Sequence, residues 1–120
     1  MAKGATSVKK QLSVKDEKKV RVGCLDFGIV ICSRNDILDS HSNTFGNMGN
    51  TEFFDLIIRI GEDMKYPVDL LTLLHEIFHA SLQPVGRKVE DEEDAANHFA
   101  ELVYSMCRDN RWLKHYLFPD

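Results

Sequence analysis

The sequence predicts an α+β fold, a small antiparallel sheet packed against one apolar helix and a second long helix. Three observations predict it. Residues 20–33 and 51–60 are rich in β-branched and aromatic side chains and read as strands. Leucines and isoleucines between Pro67 and Pro84 recur at helical spacing. A third stretch opens on an acidic run at Glu90 and carries small residues at helical spacing. Strands first and helices afterwards, without alternation, is the α+β order.

A chain of 120 residues with 43% apolar content forms a single domain with its own core. No apolar run is long enough to span a bilayer, so no membrane partner is expected. Met1–Val8 has no apolar segment of a secretory signal. Three cysteines, an odd number, do not suggest a disulfide framework. Cys24, Cys32 and Cys107 lie in apolar surroundings and read as buried thiols. Together these points predict a cytoplasmic protein. Within residues 1–19, Lys3, Lys9, Lys10, Lys15, Lys18 and Lys19 face only Asp16 and Glu17. That stretch reads as a basic, solubilising, flexible arm, and residues 20–120 as one acidic domain. With no interleaved aromatics and no basic recognition helix, a nucleic-acid partner is not expected, save for what the basic arm alone could touch.

After the arm, Val20–Ser33 reads as a strand with a break at Gly28. Ser33–Asp39 is turn-like, and Ser40–Asn50 reads as a loop around its Gly46–Asn50 cluster. Thr51–Ile60 is the second strand, ended by Gly61-Glu62-Asp63. Pro67 suits the first position of a helix, and Pro84 with Gly86 ends it. On that helix Leu70, Leu71, Leu74, Ile77, Phe78 and Ser81 make the apolar face, with Thr72, His75, Glu76 and His79 opposite. The next helix runs over Glu90–Arg108, its acids at the positive end of the macrodipole. Ala96, Ala100, Val103 and Cys107 form its inward stripe. Asp109 or Asn110 caps a last helix carrying Leu113, Tyr116, Leu117 and Trp112, a core anchor.

The first helix contains His75-Glu76-Ile77-Phe78-His79, the H-E-x-x-H pattern. Residues four apart share one helical face, roughly 5–6 Å apart. Two imidazoles so placed reach one zinc ion, and the carboxylate between them can take a proton from water that the metal activates. The alternative is a core helix whose histidines bond to backbone. Zinc needs a third protein ligand. On the second helix Glu93 borders the alanine stripe, and Glu92 is its rival. Asn97 follows Glu93 by one turn and is placed to support His75 or His79 with its side-chain oxygen.

The stretches Leu73–Ala80 and Glu93-Asp94-Ala95-Ala96-Asn97-His98-Phe99-Ala100 resemble the ImmA/IrrE group of gluzincin-type metallopeptidases and their compact, often phage-borne relatives. Those carry H-E-x-x-H on one helix and E-x-x-A-N-x-F-A on the next. The resemblance covers roughly residues 44–117. It implies a minimal zincin-like fold, zinc held by His75, His79 and Glu93, and Glu76 as catalytic base. The family's substrate does not carry over, because this chain shows no helix-turn-helix or sensor segment. The leading expectation is hydrolysis of one protein target, such as a transcriptional regulator, in the cytoplasm, a host's if the chain is phage-borne. The competing expectation is a zinc-stabilised binding module that acts by occupying a protein partner, with Asp94 or Cys24 as fourth ligand. An extended peptide could add to strand Thr51–Ile60. For a transition-state donor, Tyr104 lies eleven residues past Glu93, roughly 16 Å along a helix. Tyr66 precedes the motif by a similar margin, which leaves His41. His98 and His115 read as solvent-facing.

Overall fold

In the computed structural model, which describes residues 13–37 and 48–119, the chain enters through a 3-10 turn at Val14–Asp16. Of the arm expected over residues 1–19, positions 13–19 belong to the fold. Val14 packs on the core, and Lys15 Nζ donates to the Glu62 carbonyl at 2.7 Å. The remainder lies outside the described residues.

Strands β1 (Lys19–Val22) and β2 (Leu25–Cys32) pair antiparallel, with Val22 opposite Leu25. The expected single strand Val20–Ser33 is therefore a hairpin. Its break is at Gly23-Cys24, where Gly23 takes φ +64°, and not at Gly28, which pairs with Lys19 inside β2. A two-residue turn needs a left-handed residue at its first central position, and glycine adopts that conformation without penalty.

The expected strand Thr51–Ile60 is likewise two: β3 (Gly49–Glu52) and β4 (Ile57–Gly61), antiparallel, with Thr51 opposite Ile58. The turn Phe53–Leu56 has no glycine; Leu56 itself sits at φ +55°. A left-handed leucine gives no warning in a sequence, which is why two strands read as one. Gly49 and Asn50, expected in a loop, belong to β3.

The sheet order is β1-β2-β4-β3, and β2 runs parallel to β4. The sheet is mixed, not antiparallel as expected. After β2 the chain reaches the far edge to form β3, then returns as β4 between β3 and β2. Strand order of this kind leaves no trace in residue patterning. Phe27, Ile58 and Ile60 are fully buried, and Ile29 and Ile31 share the Phe27 face of β2.

That face is covered by helix α1 (Val68–Leu82), which ends where expected, before a 3-10 turn containing Pro84. Pro67 occupies the cap position just ahead of the helix. The buried positions of α1 include Asp69, Thr72, Leu73, Glu76 and Ala80, whereas Leu70, Leu71, Leu74, Ile77 and Phe78 are half-buried and Ser81 is exposed. The expected outer strip thus holds two of the most buried side chains. A helix wedged between a sheet and another helix buries the side its partners choose, and here the apolar count pointed to the flank.

Helix α2 (Glu92–Asp109) starts two residues later than expected, after Asp91 at φ +52°. It lies along α1, with Phe78 and Phe99 ring centroids 5.4 Å apart. Ala96 and Ala100 are buried as expected, but Cys107 is exposed. Cys24 is also exposed, in the hairpin turn, and Cys32 is half-buried, so the cysteines are not the buried set expected. On helix α3 (Arg111–Leu117) the Trp112 side chain is 62% exposed and anchors no core. Asn110 precedes α3 without capping it, because its side-chain amide donates back to the Met106 carbonyl at 3.0 Å. Among the described residues no helix is long and apolar enough to cross a membrane.

Candidate metal centre

His75 and His79 project from one side of α1 into the seam with α2, and Glu93 meets them from the first turn of α2. The two Nε2 atoms are 3.1 Å apart. Glu93 places Oε2 3.2 Å from His75 Nε2 and Oε1 2.6 Å from His79 Nε2. Ligand atoms around a tetrahedral ion with bonds of about 2.0–2.1 Å lie roughly 3.3 Å apart. The spacing of this group is close to that, and His75, His79 and Glu93 could hold a metal ion.

The outer nitrogens fix what the inner ones can do. Asn97 Oδ1 lies 2.8 Å from His75 Nδ1, and Glu92 Oε2 bonds to His79 Nδ1. An amide oxygen and an ionised carboxylate accept only, so in both rings Nδ1 carries the hydrogen and Nε2 is left with its lone pair. Two lone-pair nitrogens and two carboxylate oxygens then point at one another. Such a set of acceptors calls for a cation in its midst, a proton or a metal. His79 responds in that direction. Burial pulls its pKa down, but the bond to Glu92 and the charges of Glu76, Glu93 and Glu92 outweigh it and leave it raised above 6.5.

Glu76 stands beside the group, with Oε2 4.0 Å from His75 Nε2. It is only 6% exposed. Its other oxygen, Oε1, accepts from the Thr51 hydroxyl at 2.7 Å. Burial raises the Glu76 pKa above 4.5, opposed by the Thr51 bond and the neighbouring imidazoles and reinforced by Glu93. The centre opens on a cavity of about 540 Å³ between α1, α2 and β3, lined by His75, Glu76 and Glu93 together with Leu71, Ala100 and Gly49.

The chain matches no protein-family model, no curated protein and no solved structure.

The structure therefore brings His75, His79, Glu93 and Glu76 together, with Asn97 behind His75. Glu92, weighed as a ligand, instead holds the back of His79. Among the described residues no further histidine, cysteine or acid joins the group. Asp94 lines the cavity beside it, and Cys24 sits in the β1–β2 turn. Tyr66 and Tyr104 stack edge-on with centroids 6.2 Å apart, and neither lines the cavity. His98 is exposed but stands on the cavity wall, which the solvent-facing expectation missed. His115 is exposed on α3, and His41 falls outside the described residues. Thr51 is the contact of Glu76 that sequence patterning did not find. Its bond to Glu76 depends on a strand pairing that local sequence does not encode.

Proposed function

We propose that this chain is a zinc-dependent metallopeptidase of minimal zincin-like, ImmA/IrrE-like design, acting on a specific protein target such as a transcriptional regulator. The observation that carries the proposal is the convergence of two Nε2 lone pairs and the Glu93 carboxylate beside a buried acid that stays outside the group. Two imidazoles and one carboxylate form a catalytic zinc donor set that leaves a position open.

Bound there, zinc supplies Lewis acidity that polarises a scissile carbonyl and lowers the pKa of the attacking water. The rest of the chemistry belongs to the chain. Asn97 and Glu92 fix the tautomers that turn Nε2 inward. Glu76 takes a proton from the attacking water at Oε2, the oxygen on the His75 side, and passes it to the leaving amine. β3, the end strand of the sheet among the described residues, borders the cavity through Gly49. An extended peptide adding to that strand would lie across the centre.

The test pairs metal analysis with Glu76→Gln. Wild type and variant should each bind one zinc per chain. New protein N-termini should arise in a lysate treated with wild type and be missing with the variant. Absence of stoichiometric zinc in the wild type, or the same N-termini from both proteins, overturns the proposal. Zinc retained with no proteolysis by either protein would favour the binding module.

A further inference from the structure

Thr51 touches Glu76 at two points: its Oγ1 lies 2.7 Å from Oε1 and 3.1 Å from the Glu76 backbone carbonyl. A hydroxyl has one hydrogen, and the shorter, charge-assisted bond to the carboxylate takes it. The position of Thr51 follows from the sheet. Thr51 pairs with Ile58, and residues directly opposite share a face, so its side chain points toward α1 with the core isoleucines. Two residues earlier, Gly49 shares that face. A Cβ there would stand 2.7 Å from Thr72 Cγ2, 2.9 Å from the Arg59 carbonyl and 3.5 Å from Glu76 Cγ. Glycine thus lets strand and helix come close enough for a side chain as short as threonine to reach the acid.

We infer that Thr51 is the positioning residue for Glu76. By holding Oε1 against β3, it leaves Oε2 as the oxygen presented to the His75 side, where the proton is to be moved. This deepens the metallopeptidase proposal and rests on it. Without the hydroxyl, the carboxylate loses its fixed orientation about its terminal torsion, a broad and weakly restrained rotation. The histidines and Glu93 keep their own partners, so metal binding does not depend on Thr51.

The experiment uses the full chain loaded with zinc and acetohydroxamic acid as probe. A hydroxamic acid gives up a proton when it chelates a metal, and a correctly placed carboxylate accepts it. Thr51→Val and Thr51→Ala should each weaken acetohydroxamate binding about tenfold, as expected for loss of a hydrogen bond to a charged group. Zinc affinity, measured separately by competition with a chromophoric chelator, should be unchanged in both. Thr51→Ser, which keeps the hydroxyl, should restore the probe affinity. Making both hydroxyl-free variants keeps the test valid where one of them packs badly. Probe affinity unchanged in the hydroxyl-free variants overturns the inference and leaves the metallopeptidase proposal standing. Zinc failing to bind the wild type overturns both.

Discussion

The side-chain oxygen of Asn97 lies 2.8 Å from Nδ1 of His75, across the seam between two helices. Because that oxygen accepts only, it dictates which imidazole nitrogen is free for a metal. Loss of such a partner costs ten- to a hundredfold in metal affinity as a general order of magnitude. Asn97→Ala should therefore weaken zinc binding by at least about tenfold. Asn97→Asp, which keeps an acceptor, should weaken it less. Competition titration with a chelator checks both, and equal affinities in all three proteins would sink the assignment.

Glu92 and Glu93 are neighbours in sequence with different contacts. Glu93 meets both inner nitrogens, whereas Glu92 bonds only to the outer nitrogen of His79. Glu93→Ala should abolish stoichiometric zinc binding, because two imidazoles alone are a poor site. Glu92→Ala should keep one zinc per chain, bound about ten- to a hundredfold more weakly. Equilibrium dialysis of the two variants separates the roles. A larger loss from the Glu92 change would reverse the assignment.

The contrast between these two acids shows what the sequence could and could not disclose. The i,i+4 histidines, the buried alanines and the Pro84 stop follow from helix geometry over a few residues, and each is found where expected. The partner of each imidazole depends on how α2 is rotated against α1. One helical position, about 100° of rotation, separates the acid that meets the inner nitrogens from the acid behind His79. The sheet was less legible for a related reason. Gly23 announces its turn, but the Leu56 turn and the parallel β2–β4 pairing arise from tertiary packing. Thr51 inherits that difficulty, since its role exists only once β3 is laid against α1.

The stabilisation that zinc gives should grow as pH rises. A histidine raised above 6.5 gives stability that is full below that value and lost as pH rises through its folded pKa. A buried acid raised above 4.5 opposes folding once it ionises, so the fold is favoured as pH falls through its folded value. His79 and Glu76 thus act in the same direction, and the metal-free protein should lose thermal stability as pH rises through and above neutral. Zinc competes with protons for the same nitrogens, so its stabilisation should grow with pH. Thermal melts from about pH 5.5 to 8, with chelator and with zinc, should give a widening gap in Tm. Parallel curves would show that no metal competes for these groups.

Gly49 is a position in the sheet where a single methyl group should be felt, because one of its neighbours is backbone. Its Cβ would fall 2.7 Å from Thr72 Cγ2 and 2.9 Å from the Arg59 carbonyl, closer than such atoms pack. Overpacking of this kind typically costs about 1–3 kcal/mol. Gly49→Ala should accordingly lower unfolding stability by about that amount, read from urea denaturation at an unchanged slope. The two contacts differ in how they can yield. Thr72→Ser removes the methyl but leaves the Arg59 carbonyl in place, so the double variant should recover part of the loss and not all of it. Coupling between the two substitutions is required because they share one contact. Strictly additive effects, or no cost from the alanine alone, would mean that the gap between β3 and α1 is wider than the contacts around Gly49 indicate.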